Sequence, residues 1–176
     1  RFFLHRAMHH WPLLWRMHRV HHSATVLTPF TVFRVHPVES VVYSARGFIV
    51  FSLVAGISIW LFKGQLTALE LLGVDALGFI FNMAAANLRH SHVRLSFGPL
   101  EGLFISPTQH QIHHSIDHED VNFGSCLAIW DRWFSTLVRS SEISVGNKLT
   151  FGLKEPLDLG RNMKPAGLTG DAKVIV

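Results

Sequence analysis

The pattern His-x-x-His-His occurs twice, as His18, His21, His22 and as His110, His113, His114, with a long histidine-free apolar stretch between the copies. A shuffled chain with 13 histidines in 176 residues would hold about 0.07 copies, so two copies demand a cause. On an α-helix, positions i, i+3 and i+4 share a face, and each triplet can point three imidazoles at one place. His5 and His9, four apart, also share a face. Packing or pH sensing gives no reason to repeat three polar rings on one helical face beside a membrane.

The apolar stretch runs from Val41 to Phe62, broken only by Arg46. As a helix it reaches about 33 Å, against a hydrocarbon core of about 30 Å. Lys63, Gly64 and Gln65 punctuate the chain, and Leu66 to Ala86 is again mostly apolar, although Glu70 and Asp75 would be costly facing lipid. A membrane hairpin over about 41–86 is therefore expected. Composition agrees: 48% of residues are hydrophobic and 16% charged, whereas soluble domains carry about a quarter charged residues. Arg1, Arg6, Arg16, Arg19, Arg34, Arg46, Arg89 and Arg94 lie on the side holding both chain ends, and the turn carries Lys63, which makes the histidine-rich side cytosolic.

The expected fold is all-α: a membrane-embedded helical bundle with a cytosolic histidine-rich helical cap and a short irregular C-terminal tail. Residues 1–140 form the histidine-bearing domain, and 141–176, richer in glycine, proline and lysine, a loop-rich cytosolic tail. Pro12 suits the first turn of the second of two short helices. The opening on Arg1 predicts an N-terminal truncation, with upstream membrane spans missing. Cys126 is the single cysteine, so no disulfide or thiolate cluster can form within the chain. Arginines interleaved with histidines and apolar residues, rather than forming a basic stripe with stacking aromatics, argue against nucleic acid and for a lipid-headgroup-facing surface.

Eight or nine same-face histidines exceed one four-coordinate zinc site, and two ions would each receive four or more nitrogens. Neutral imidazole suits iron, zinc, copper and nickel, so ligand type alone leaves the metal open. Membrane context narrows the choice, because oxidising an unactivated C–H bond of an apolar substrate requires a redox metal and dioxygen. Haem needs one or two axial ligands and does not explain repeated triplets. A non-catalytic metal-binding or metal-transporting membrane protein is the competing reading. A transporter places its ligands near the bilayer midplane, but this hairpin contains no histidine.

The chain resembles the fatty acid hydroxylase and sterol desaturase superfamily over roughly residues 1 to 138. The likeness rests on His5-Arg6-x-x-His9, Leu14-Trp15-x-x-His18-x-x-His21-His22-Ser23, Arg34-x-His36-Pro37-x-Glu39 and His90-Ser91. Pro107-x-x-His110-x-x-His113-His114-Ser115, Asn122-Phe123-Gly124 and Trp130-Asp131-Arg132 complete it. The resemblance implies a helical membrane protein whose cytosolic cap, in the bacterial inner membrane or the endoplasmic reticulum, holds two iron ions. With dioxygen and an external electron donor of cytochrome b5, ferredoxin or reductase type, such a centre hydroxylates or desaturates a lipid. By motif position its ligands are His5, His9, His18, His21, His22, His90, His110, His113 and His114. His92 stands where many relatives have asparagine, and Ser135 where a glycine is common.

The other histidines are weighed separately. His10 lies about 100° around the helix from His9 and reads as a neighbour. His36 is either a ligand or an anchor for one, His92 is a further candidate ligand, and His118 reads as a surface or supporting residue. Glu39, Asp117, Asp120 and Asp131 are candidates to accept the second ring N–H of a ligand histidine, or ordinary surface ion-pair partners. Trp11, Trp15, Trp60, Trp130 and Trp133 suit membrane interfaces or packing beside the histidine helices, with Trp15 and Trp130 weighted by the motifs.

Overall fold

The computed structural model describes residues 1–63, 65–143 and 148–155, without the side chains of residues 68, 71, 72, 74 and 75. All regular structure among the described residues is helical. The elements are α1 (Phe2–His10), α2 (Pro12–His22), α3 (Pro37–Leu61), α4 (Ala68–Arg89), α5 (Pro107–His113) and α6 (Ile129–Trp133), with short 3-10 turns between them.

Local chemistry sets the helix boundaries. Trp11 is extended (φ −95°, ψ 118°) and Pro12 opens α2, because proline fits the first turn, where its missing N–H has no partner to lose. His36 caps α3, its Nδ1 accepting from the Val38 amide at 3.2 Å ahead of Pro37. Thr67 and Glu70 form a reciprocal capping box at the start of α4. That box explains Glu70 in an otherwise apolar helix, since a first-turn carboxylate also meets the positive end of the helix dipole. Ser106 and Gln109 cap α5 in the same way around Pro107.

With 25 residues, α3 is the one described helix long and apolar enough to cross a membrane, and none of its most apolar window is buried. Phe48 and Trp60 are about three-quarters exposed, a surface that water disfavours and hydrocarbon does not. α3 and α4 diverge around a cavity of about 530 Å³ lined by Phe51, Val54 and Ala55 on one side and Gly78, Phe79 and Asn82 on the other.

The histidine-rich cap sits where α3 begins and α4 ends. Its apolar core is small, with Phe123, Met8, Ile112 and Ala128 sealed from solvent. His22, His113 and His114 rank with them among the largest fully buried side chains. Part of the segment expected as tail is stitched onto this cap. The Ile116 amide donates to Thr150 (2.9 Å), and Lys154 pairs with Glu119 (3.0 Å). Residues 144–147 and 156–176 of that expected tail lie outside the described residues.

Candidate metal centre

The nine histidines selected by spacing and motif gather in two adjacent groups. His5, His9, His18, His22 and His113 form one, and His21, His90, His110 and His114 the other, the ligand atoms of each lying within 4.8 Å of one another. The sequence pattern suggested that each triplet serves one place; the structure divides both. His18 and His22 enter the first group and His21 the second, while His110 and His114 enter the second and His113 the first. Helical geometry gives the reason. Residues i and i+4 differ by about 40° around the axis and converge, whereas i+3 and i+4 differ by about 100°. Each triplet therefore gives an i,i+4 pair to one group and its remaining ring to the other.

Ring orientation is fixed from behind. The Nδ1 atoms of His5, His21, His90 and His113 lie 2.8, 3.2, 2.7 and 2.7 Å from the carbonyl oxygens of Phe123, Arg34, Ala86 and Val121. A carbonyl oxygen only accepts, so these Nδ1 atoms carry the proton and the Nε2 atoms present bare lone pairs in the neutral ring. His18 Nδ1 lies 2.6 Å from Glu39 Oε1. Burial holds the rings neutral, pushing His18, His21 and His90 down to about 3. Burial and then neighbouring imidazoles take His5, His9, His22, His110, His113 and His114 well below the ordinary value.

At His21 and His90 these orientations leave two lone pairs facing each other, and other Nε2 atoms of the cluster stand as close. His21 Nε2 and His90 Nε2 are 3.0 Å apart although both rings spend their N–H on a carbonyl. His110 Nε2 lies 3.2 Å from His90 Nε2 and 3.2 Å from His114 Nε2, and His5 Nε2 lies 3.1 Å from His18 Nε2. Two acceptors at that distance repel unless a cation lies between them. Nitrogens bound about 2.1 Å from one ion at about 90–109° lie about 3.0–3.4 Å apart. Both nitrogens of His9 and Nε2 of His22 and His113 are buried without a hydrogen-bond partner, a costly state that a metal ion relieves at one nitrogen of each ring. The donor set fits two metal ions.

The remaining candidates fall outside both groups. His36 is the α3 cap, His92 is exposed, His10 faces the Arg6 carbonyl and His118 the Ser115 hydroxyl. Of the acidic candidates, Glu39 backs His18, whereas Asp120 stands 3.6 Å from His9 Nδ1 and Asp117 reaches no imidazole among the described residues. Asp131 acts one step removed. Its carboxylate accepts from the Phe123 and Gly124 amides at 2.7 and 2.8 Å and from the Thr136 hydroxyl at 2.8 Å. It thereby holds the loop whose Phe123 carbonyl orients His5. Gly124 is needed there, since a Cβ would stand 2.6 Å from the Leu127 carbonyl and 2.7 Å from Asp131 Oδ2.

Sequence reasoning missed the supporting role of Phe123, whose ring packs against His5, His9 and His113. The Asn-Phe-Gly motif was its only signal. Trp15 lies against His9 and His22, as its motif weighting suggested. A cavity of about 580 Å³ opens onto both groups, bounded by His5, His18, His21, His90 and His110 together with Glu39.

The family model for fatty acid hydroxylases matches residues 1–136. The chain belongs to the fatty acid hydroxylase family. Similar curated relatives include an alkylglycerol monooxygenase of Danio rerio, 28% identical over 89% of this chain and 31% of its own length. An ornithine lipid hydroxylase of Rhizobium tropici is 30% identical over 84% of this chain and 43% of its own. A very-long-chain aldehyde decarbonylase of Oryza sativa is 32% identical over 90% and 25%. This fatty acid hydroxylase family chain thus spans less than half the length of each of these relatives. No solved structure matches it significantly.

Proposed function

We propose that the chain is the catalytic portion of a membrane-embedded, dioxygen-dependent lipid oxygenase, hydroxylating or desaturating a C–H bond, with one iron ion in each histidine group. The observation that carries this reading is the facing of the bare Nε2 lone pairs of His21 and His90 across 3.0 Å, with three further Nε2–Nε2 separations of 3.1–3.2 Å in the same buried, neutral cluster. His5, His9, His18, His22 and His113 would hold one ion, and His21, His90, His110 and His114 the other. Two iron ions supplied with dioxygen and electrons from an external donor provide the oxidising power that protein side chains lack.

The chain's own residues do the positioning. Four carbonyls and the Glu39 carboxylate turn ring nitrogens toward the group centres, and burial keeps them unprotonated. The cavity beside α3 and α4 offers a lipid a route from the bilayer to both groups, which supports catalysis over simple metal storage. The names of two of the relatives, an alkylglycerol monooxygenase and an ornithine lipid hydroxylase, support the same substrate class. The distribution of arginine supports a cytosolic cap, in a bacterial inner membrane or the endoplasmic reticulum.

The test is elemental analysis of the full-length protein, expected to give two iron atoms per chain, followed by lipidomics of cells with and without it. Purified protein without iron, or an unchanged lipid profile, would sink the reading.

A further inference from the structure

The cavity over the histidine groups adjoins a second, apolar pocket of about 490 Å³, and Arg89 and Ser125 stand on the walls of both. Phe81, Leu88, Phe97, Phe104 and Ile105 line the second pocket. Arg89 is 7% exposed. Its Nε donates to the Ala85 carbonyl at 3.1 Å, and no carboxylate pairs with it among the described residues. Arg1 borders the same histidine-facing cavity, close enough to repel Arg89, and spends Nη1 on the Asn82 side chain.

A buried cation without an anion is expensive. The carbonyl end of α4 offers about half a negative charge, and the carboxylate on the cavity wall, Glu39, faces His18 at 2.6 Å with no ion pair to either guanidinium among the described residues, so two guanidinium groups remain under-balanced. An oxyanion entering the cavity would supply what is missing, and guanidinium is the side chain best shaped to receive carboxylate or phosphate. The apolar pocket on the other side of Arg89 suits a hydrocarbon tail.

We propose that Arg89 recognises the acidic end group, carboxylate or phosphate, of a single-chain amphiphile whose tail fills the apolar pocket. This assignment deepens the lipid-oxidation reading and rests on it for its meaning in catalysis, but binding is measured without turnover. A protein that binds the acid and oxidises no lipid would sink the enzyme reading alone. One that oxidises lipid without preferring an acid would sink this one alone.

The experiment is native mass spectrometry of the full-length, metal-loaded protein in neutral detergent with hexadecanoate, hexadecyl phosphate or hexadecanol. The two acids are expected to bind about tenfold more tightly than the alcohol, the worth of one charge-assisted hydrogen-bond pair. Arg89→Gln should remove that difference while leaving hexadecanol binding and metal content unchanged, and Arg89→Lys should retain part of it. Ala84 also lines the tail pocket, and Ala84→Phe, which fills it, should weaken all three ligands alike. Inorganic phosphate should displace none of them. The proposal is overturned if wild-type protein shows no acid preference, a comparison that needs no variant. It is equally overturned if the preference survives in Arg89→Gln, or if inorganic phosphate displaces the acids.

Discussion

The two histidine groups are built from the same kind of ring but lean on different parts of the molecule. The five-histidine group draws on α1, α2 and α5 and is backed by the Val121–Gly124 loop and the Glu39 carboxylate. The four-histidine group draws on α2, α5 and the C-terminal end of α4, and its supports are the Ala86 and Arg34 carbonyls. One is anchored to a loop of the cap, the other to the C-terminal end of α4. Because each triplet contributes to both groups, neither can form without bringing the other's ligands close. The His-x-x-His-His spacing thus acts as a cross-brace between two sites rather than as one claw.

Acid should erase the difference between the groups, and this is the largest expected effect. His18, His21 and His90 sit at about 3 in the folded protein against an ordinary value of 6.5, so the unfolded chain takes up protons first. Metal-free protein therefore keeps its full stability above about pH 6.5 and loses it progressively as pH falls toward about 3. Each of the three contributes up to about 5 kcal/mol to that loss, with overlap between neighbours. Metal-loaded protein should hold to lower pH, since bound metal competes with the proton. Tryptophan fluorescence against pH, with and without metal, checks this; a metal-free protein equally stable at about pH 7 and pH 4.5 would contradict it.

Removing single ligands should then separate the groups. His21→Ala leaves three donors of four and is expected to empty that site, whereas His113→Ala leaves four of five and should weaken it. Losing a supporting residue behind a ligand already costs about 10–100-fold in affinity, so losing the ligand itself should cost at least that. Metal content per chain is expected near one for His21→Ala and between one and two for His113→Ala, with lipid oxidation lost in both. Equal metal loss in the two variants would break the distinction.

What the sequence made legible follows the range of each signal. Helix caps and the i,i+4 pairs are local, and Pro12 and the triplets announced them, whereas Glu70, read as a charge costly in lipid, closes the capping box of α4. The division of each triplet was not legible, because the sequence states that three rings share a face but not that two partner faces approach from different directions. His36 stood as a possible ligand because its motif neighbours one; its ring instead caps α3 through Nδ1, ahead of Pro37. The carbonyls of Phe123, Arg34, Ala86 and Val121 carry no side-chain identity, so no residue pattern names them.

Asp131 tests whether the five-histidine group depends on its loop. The carboxylate is fully buried and takes three hydrogen bonds. Asp131→Ala should lower stability by about 3 kcal/mol and deplete metal from the five-histidine group before the other. A denaturant melt paired with metal analysis reads both effects. Depletion of both groups in step would mean that the cross-brace, not the loop, governs their stability.

The smallest effect isolates the loop from the metals. Ser135 has φ +55°, a left-handed conformation that costs an L-residue about 1–2 kcal/mol. It lies four residues after Asp131 and directly before Thr136, which donates to that carboxylate. Ser135→Gly should release the strain but return about 0.5–1 kcal/mol through the greater freedom of the unfolded chain. The net expectation is a gain of about 0.5 kcal/mol in a denaturant melt, with metal content unchanged in both groups. A selective rise in occupancy of the five-histidine group would instead show that strain at this turn reaches His5 through Asp131 and Phe123, making the anchor of that group adjustable from outside its ligand set.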